Sequence, residues 1–367
     1  MRFKIDYDNS LTSLANSIRG YFGLEKYHNS LDYIDKLLDE KKPKNIVLIL
    51  LDGMGSKIVN KTLDENDFFR KNMKYEISSV FPTTTTAATT SIRTGLNPAE
   101  HGWLAWNTYV EPLDKIISFF LNSEKGSDNI CNKFLEVKNK YYKPKKIVDE
   151  IMENGKYYAK EVMPFGDDGY CNLDDMINSI KLNINKKDKN YIYAYDMEPD
   201  SSMHRFGTDS LYIYDLIKER NDKLEKLCSE LDDTIIFIVA DHGHNNVDNI
   251  YLNDYPSIIN CLRTNTFNEP RCPMFKVKDG MFDTFRKEFN KNFDEYFTLY
   301  TKNEIIDNNF YGYGDFHPLF ESSLGDFIAI PKKGYKSLIS DGDSYMVSTH
   351  GGLNDEEVYV PLIIAIK

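Results

Sequence analysis

Four short motifs in the sequence carry residues of the types that bind divalent metal ions. The motifs are Asp-Gly, D-x-x-x-H, A-D-H-G and a late His-Gly-Gly, and their candidate ligands are Asp52, Asp200, His204, Asp241, His242 and His350. Carboxylate and imidazole ligands without thiolates suit zinc or manganese, and three histidines favour zinc. One such motif alone is more often a polar strand end or a buried histidine than a metal ligand, but four together are hard to explain by packing. We therefore expect two divalent metal ions, with zinc as the first choice and manganese as the alternative.

A threonine-rich segment supplies the candidate reacting group. Residues 81–102 read FPTTTTAATTSIRTGLNPAEHG, in which Pro82 suits the start of a helix and Gly95 its end. Threonine hydroxyls then lie at the helix N-terminus, where unpaired N–H groups and the helix dipole favour an anionic group such as a phosphoryl group. A hydroxyl bound to one metal of a pair would lose its proton near neutral pH and become a nucleophile. A threonine that only caps the helix is the alternative.

Three apolar runs must position these motifs. The runs are residues 46–51, 191–195 and 235–240, and each is followed by candidate ligands. Runs without polar alternation are typical of strands buried on both faces, as in parallel sheets, and open α/β sheets bind ligands at the carboxyl ends of their strands. The sequence therefore predicts an α/β fold with a mostly parallel central sheet and helices on both faces.

The remaining segments suggest how the domain is organised. Residues 1–43 have helical periodicity and are predicted to form an N-terminal helical extension packed on a catalytic domain of residues 44–367. Residues 250–340 are expected to contribute a small inserted cap or subdomain. The segment from 103 to 146, with a strand at 115–121, is expected to form one wall of a pocket.

Composition limits the partners and the location. The formal net charge of −12 argues against binding a nucleic-acid polymer, whereas a small anionic molecule can bind where metal ions supply positive charge. The five cysteines are dispersed and predict free thiols. The first residues lack the apolar core of a secretion signal, and no apolar run is long enough to cross a bilayer, so we expect a cytoplasmic protein without a membrane partner.

The order of the motifs resembles that of the alkaline phosphatase superfamily, and most closely the type I phosphodiesterase/nucleotide pyrophosphatase family. The resemblance spans residues 46–366. It implies that one zinc ion is held by Asp200, His204 and His350, and the other by Asp52, Asp241 and His242. It also implies that Thr85 is the nucleophile, because the family's reacting threonine lies two residues after the FPT threonine; Thr83, Thr84 and Thr86 are the alternatives if the register slips.

The chain departs from the family pattern at Ala88, where the family often has an asparagine that holds a phosphate oxygen. Asn107 is the replacement that we expect to bind the substrate. Trp106 and Trp103 are candidates for stacking on a base or another apolar group of the substrate, and buried packing is the alternative for both.

The resemblance implies a hydrolase that attacks a phosphodiester or pyrophosphate, in a small phosphate ester or a nucleotide, through a covalent phosphoryl-threonine intermediate. A phosphomonoesterase is the near alternative, but it needs a cationic side chain for the additional anionic oxygen. Arg93 lies about two turns along the threonine helix and is predicted to point away. The sequence also leaves open a phosphomutase of the same superfamily and a non-catalytic, metal-stabilised binding module.

Overall fold

The computed structural model describes residues 5–166, 169–332 and 335–367. The helices of this part of the chain are α1 (Leu11–Tyr21), α2 (Asp32–Lys41), α3 (Ser56–Thr62), α4 (Phe68–Asn72), α5 (Thr85–Thr94), α6 (Pro98–His101), α7 (Asn132–Tyr141), α8 (Ile147–Asn154), α9 (Leu173–Asn183), α10 (Asp200–Phe206), α11 (Leu211–Ser229), α12 (Pro256–Ile259), α13 (Phe282–Phe293), α14 (Lys302–Asp307), α15 (Phe320–Ser323) and α16 (Asp355–Val358). The strands are β1 (Asn45–Leu51), β2 (Met73–Ser78), β3 (Asn107–Val110), β4 (Lys115–Ser118), β5 (Ser123–Glu124), β6 (Tyr158–Val162), β7 (Asn190–Asp196), β8 (Thr234–Val239), β9 (Asn245–Asn246), β10 (Asp248–Tyr251), β11 (Phe267–Glu269), β12 (Cys272–Phe275), β13 (Phe297–Thr301), β14 (Phe327–Pro331), β15 (Lys336–Ile339), β16 (Ser348–Thr349) and β17 (Tyr359–Ile366). Two short 3-10 helices cover Glu111–Leu113 and Leu252–Asp254.

The central sheet has six strands in the order β2-β17-β8-β1-β7-β6. Strands β8, β1, β7 and β6 pair in parallel, and every residue of β1, β7 and β8 is buried, as the uninterrupted apolar runs predict. Strand β17 is antiparallel to both β8 and β2. The predicted α/β class is confirmed, and the sheet is mixed. A strand parallel to its neighbour needs a long crossover connection, usually a helix, that returns the chain to the opposite edge of the sheet. The loop before β17 lies at the carboxyl edge and contains only the short helix α16. The chain therefore enters the sheet from the carboxyl edge, and β17 runs antiparallel to its neighbours.

Helices complete the main core around this sheet. Apolar side chains of α1, α5, α8, α9 and α11 share one buried cluster with the sheet strands, and α2 adds Ile34 and Leu38. The helices of residues 1–43 therefore pack against the same core as the rest of the chain. The division into an N-terminal extension and a catalytic domain stays a prediction.

A second, antiparallel sheet lies beside the central one. Its order is β13-β14-β12-β11-β3-β4-β5, so it combines strands from residues 107–124 with strands from residues 267–331. A separate apolar cluster of residues 252–338 lies under part of it. The second sheet thus draws on both segments that the sequence connects with a pocket wall and a cap.

The part of the chain that the structure describes contains no helix of the length and apolar character needed to cross a membrane.

Candidate two-metal site

All six predicted metal ligands meet at the carboxyl edge of the central sheet. Asp52 follows β1 directly, Asp241 and His242 follow β8, Asp200 and His204 lie on α10 just beyond β7, and His350 follows β16. The closest atoms of neighbouring ligands are 3.3–3.6 Å apart: His204 Nε2 to Asp200 Oδ2 (3.3 Å), His242 Nε2 to Asp52 Oδ1 (3.4 Å), His242 Nε2 to Asp241 Oδ2 (3.5 Å) and His350 Nε2 to Asp200 Oδ1 (3.6 Å). Strand ends from distant parts of the chain therefore converge on one buried cluster.

Ligand atoms in this cluster form two groups with the spacing of metal sites. One group contains Asp200, His204, His350 and a further histidine, His244; the other contains Asp52, Asp200 and His242. Asp200 belongs to both groups, so its carboxylate lies where the two groups meet. Asp241 lies beside the second group through its Oδ2 atom.

The histidines of the cluster are oriented by hydrogen bonds at Nδ1. The acceptors are the backbone carbonyls of Ser348 for His204 (2.8 Å), Thr83 for His350 (2.9 Å) and Gly243 for His242 (3.1 Å). A proton on Nδ1 leaves Nε2 as the unprotonated nitrogen, and each Nε2 faces the cluster. Metal-binding histidines are typically oriented in this way.

Asp241 also fits a metal ligand. Its Oδ1 atom accepts hydrogen bonds from the backbone N–H groups of Gly53 and His242, both at 3.0 Å. Its Oδ2 atom is buried and has no hydrogen-bond partner among the described residues. Burying a carboxylate oxygen without a partner is costly, and a metal ion at this position would compensate for it.

His244 is the member of the cluster that the sequence analysis missed. Its Nε2 atom is 2.5 Å from Asp200 Oδ1, and its Nδ1 atom is 2.6 Å from Ser348 Oγ. The signal was the second histidine of the D-H-G-H segment, two residues after His242. Residues two apart on an extended chain point to the same side, so both imidazoles can reach one site.

The electrostatics of the cluster indicate a need for positive charge. Burial raises the pKa of Asp52 well above its usual range, and Asp241 and Asp200 nearby add to this effect. Burial also raises the pKa of Asp241, lowers that of His244 to about 4 and holds that of His350 well below its usual range. The buried carboxyls beside His244 and His350, whose imidazoles burial keeps neutral, form part of a ligand set for cations, and bound cations would favour the charged carboxylates.

Thr85 faces this cluster from the first turn of α5. Its Oγ1 atom is 3.4 Å from both oxygens of Asp52 and 3.2 Å from His242 Nε2. The hydroxyl of Tyr195 donates to Asp52 Oδ2, which fixes the carboxylate beside the threonine. Thr85 is therefore the threonine with direct access to the predicted metal ligands.

The neighbouring threonines are turned elsewhere. Thr83 Oγ1 donates to the carbonyl of Gly352 at 2.9 Å, Thr84 Oγ1 donates to Glu269 Oε1 at 2.8 Å, and Thr86 Oγ1 is buried without a hydrogen-bond partner among the described residues. The contacts of Asp52 and His242 thus distinguish Thr85 from the three alternatives in the run.

A cavity of about 680 Å³ opens above the cluster, and both predicted substrate-binding residues line it. Asn107 accepts a hydrogen bond from Ser118 Oγ at its Oδ1 atom (2.7 Å), so its NH₂ group remains a donor. Trp106 is 37 % exposed and packs its ring against Phe120. By contrast, Trp103 packs against Phe119 and Phe120 and lies outside the cavity lining, as the packing alternative predicts.

Arg93 also lines the cavity, so the prediction that it points away was wrong. Thr85, Thr89 and Arg93 are spaced by four residues on α5 and therefore share one helix face. The Arg93 guanidinium is held by Glu161, with Nε 2.7 Å from Oε1 and Nη2 2.8 Å from Oε2. This side chain reaches the cavity, but its charge is paired.

A family model described as type I phosphodiesterase / nucleotide pyrophosphatase matches residues 46–353. The chain belongs to this family. It is therefore a hydrolase acting on phosphodiester or pyrophosphate bonds, in a class of two-metal enzymes within the alkaline phosphatase superfamily, as the order of motifs predicts. No curated protein sequence gives a significant match to the chain.

Solved structures of ectonucleotide pyrophosphatase / phosphodiesterase 5 share the fold. The murine protein superposes with a TM-score of 0.68 at 19% identity, covering 88% of both chains, and the human protein with 0.67 at 18%, covering 87% of both. An inactive threonine-to-alanine variant of the murine protein, in complex with AMP, gives 0.66 at 19%, covering 86% of this chain and 87% of that chain. These similarities extend over nearly the whole chain.

Proposed function

We propose that the protein cleaves a phosphodiester or pyrophosphate bond in a small anionic substrate, with Thr85 as the nucleophile and two zinc ions as cofactors. The observation that carries this proposal is the position of Thr85 Oγ1, 3.2–3.4 Å from Asp52 and His242 at the start of α5. One zinc would be held by Asp200, His204 and His350, and the other by Asp52, Asp241 and His242. Bound there, the two cations would lower the pKa of a hydroxyl and neutralise the charge of the phosphoryl group.

Thr85 would act in two steps. Its Oγ1 atom gives up its proton to water and bonds to phosphorus while the bond from phosphorus to the leaving oxygen breaks. This gives a phosphoryl-threonine, which for a diester keeps the second ester group of the substrate. Water then cleaves the bond between threonine and phosphorus and restores the hydroxyl. The first turn of α5 supports both steps, because its unpaired N–H groups favour an anionic group beside Thr85.

Asn107 would hold a non-bridging oxygen of the phosphoryl group. Its Oδ1 atom is occupied by Ser118, so the amide presents its NH₂ group as the donor. A donor fixed in advance stabilises charge that develops in the transition state. This role would replace the asparagine that the family often has at the position of Ala88.

The walls of the cavity favour a substrate with an apolar or aromatic group. Trp106, Phe120, Phe165 and Met197 line the cavity beside the metal ligands. We propose a nucleotide, since a base can stack on Trp106, and the structure of a relative in complex with AMP supports this substrate class. A cap contributed by residues 250–340 would close one side, because Glu269 and Pro270 belong to the lining.

Diesters are proposed over monoesters because the cavity offers the substrate no unpaired cationic side chain among the described residues. A dianionic monoester needs one more positive contact than a diester. Arg93, the arginine of α5 that lines the cavity, is bound to both carboxylate oxygens of Glu161. The cytoplasmic location stays a prediction.

The experiment is a comparison of three substrates on the zinc-loaded protein: a bis-aryl phosphate, an aryl ester of a nucleotide and an aryl phosphate. We expect the highest kcat/KM on the nucleotide diester and the lowest on the monoester. A preference of tenfold or more for the monoester would support a phosphatase instead. Transfer of the phosphoryl group to an alcohol of the substrate would support a phosphomutase, and no turnover of any ester would support the binding module.

A further inference from the structure

His244 lies inside the candidate metal cluster, although the family pattern assigns it no role. The side chain is 5 % exposed, and its Nε2 atom is 2.5 Å from Asp200 Oδ1. The centre of its ring is 4.8 Å from that of His204, 5.1 Å from that of His350 and 5.8 Å from that of His242. His244 is therefore surrounded by the other imidazoles.

The local backbone holds His244 next to His350. Strands β9 and β16 pair in antiparallel register, with Thr349 opposite Asn245. His244 and His350 come immediately before β9 and after β16, so the two histidines leave the same end of this short ladder. Their proximity is therefore set by strand pairing.

The Nδ1 atom of His244 is also held by a hydrogen bond, but its partner can either accept or donate. Its partner is the hydroxyl of Ser348, 2.6 Å away, while the carbonyl of the same serine is bonded to His204 Nδ1. One serine thus orients two imidazoles, each with Nε2 directed toward Asp200. This arrangement would leave Nε2 of both rings available to one metal ion.

We propose that His244 is a fourth protein ligand of the metal held by Asp200, His204 and His350. Zinc bound by four protein groups has a complete tetrahedral set, as in structural zinc sites. The other site, with Asp52 and His242, would keep an open position, and this is the site that Thr85 faces at 3.2–3.4 Å. Four protein groups would then hold the first metal ion, whereas Thr85 lies beside the second.

This inference rests on the proposed two-metal function, and the proton on the imidazole tests it without an activity assay. The chain has 7 histidines, few enough to follow individually by ¹H–¹⁵N NMR of histidine-labelled protein. In the metal-free protein we expect the His244 proton on Nε2, donated to Asp200, with Nδ1 accepting from Ser348. In the zinc-loaded protein we expect the proton on Nδ1, with Nε2 unprotonated and shifted to the position of a metal-bound nitrogen.

His101 is the matched control for the NMR experiment. It is also buried, and its Nδ1 atom accepts a hydrogen bond from the Trp103 N–H at 3.1 Å, away from the cluster. Its proton should stay on Nε2 in both states. If zinc loading leaves the His244 proton on Nε2 as well, His244 is only a hydrogen-bond partner of Asp200 and the proposal is overturned.

Zinc affinity gives a second readout. A residue that only hydrogen-bonds a ligand typically changes metal affinity by about 10- to 100-fold. We expect His244→Gln to lower the affinity of one of two zinc ions by more than this and to leave the other nearly unchanged, while His101→Gln changes neither. A smaller loss overturns the proposal. Two bound zinc ions with His244 protonated at Nε2 would defeat this inference alone, whereas a protein that takes up no zinc would also defeat the proposed function.

Discussion

A buried ion pair anchors the loop that carries His350, and its removal should destabilise the fold measurably. Arg271 and Glu357 are both fully buried and form two parallel hydrogen bonds of 2.9 Å. Glu357 also accepts from the backbone N–H groups of Gly352 (2.9 Å) and Asn354 (3.1 Å). One carboxylate therefore connects the His-Gly-Gly loop with the start of β12.

The size of the effect follows from the charge left behind. In Glu357→Gln the guanidinium stays buried without its counter-charge, which typically costs about 3–5 kcal/mol. An unfolding entropy of about 2.1 cal/mol/K per residue gives about 0.8 kcal/mol/K for a chain of this length. The expected fall in Tm is therefore about 4–6 °C.

Calorimetry of the metal-free protein measures this fall. Glu356→Gln is the control, since Glu356 is a neighbouring, partly exposed residue without the ion pair, and its Tm should change by less than about 1 °C. Burial would raise the pKa of Glu357, but Arg271 holds it below its usual value. The stabilisation is thus complete above the unfolded pKa and is lost as the pH falls through the folded one, so the difference between wild type and Glu357→Gln should shrink in acid. A fall in Tm below 1 °C at neutral pH would refute the reasoning.

Three further predictions concern the nucleophile, the specificity and the pH dependence of stability. Thr85→Ala should lower kcat by at least about a thousandfold while zinc content and substrate binding stay near wild type, whereas Thr86→Ala should have a far smaller effect; steady-state kinetics, metal analysis and equilibrium binding check this. Glu161→Gln should release Arg93 toward the cavity and raise the monoester-to-diester ratio of kcat/KM by about tenfold, equivalent to about 1.4 kcal/mol; an unchanged ratio would show that Arg93 cannot reach the phosphate. Burial lowers the pKa of His101 to about 3, so its neutral ring stabilises the fold above the unfolded pKa near 6.5 and this stabilisation is lost as the pH falls. Urea unfolding of the metal-free protein should show that the stability gap between wild type and His101→Asn shrinks by about 2 kcal/mol from pH 8 to pH 5, and an unchanged gap would count against a neutral buried ring.

The sequence predicts the parts of the molecule whose signals are local. The apolar runs before Asp52 and Asp241 became β1 and β8, and the threonine helix α5 ends before Gly95, which has the positive φ of a helix cap. Ligands placed directly after buried strands had to meet at one edge, because parallel strands end on the same side of a sheet.

Other parts depend on contacts between segments that are distant along the chain. In the sequence, strand β17 is one more apolar run like those of the parallel strands. Its antiparallel direction relative to β8 and β2 follows from the position of the preceding loop. Strands β9 and β16 have two residues each and show no hydrophobic period, so nothing local indicated the pairing that brings His244 to His350. The direction of the Arg93 side chain was predicted wrongly because only its distance from Thr85 along the helix was considered. The two residues also share one face of the helix, so both side chains reach the cavity.

Trapping the phosphoryl-threonine intermediate tests the proposed covalent mechanism most directly. The zinc-loaded protein would be mixed with an aryl ester of a nucleotide, quenched in acid within one turnover, digested and analysed by mass spectrometry. Because only the bond to the aryl group breaks, we expect a nucleotidyl group on the peptide that contains residues 81–93, with fragmentation locating it on Thr85, and no such group in Thr85→Ala. A product burst with the nucleotidyl group on a neighbouring threonine would contradict the assignment of Thr85, and turnover without any nucleotidylated peptide would contradict the covalent mechanism.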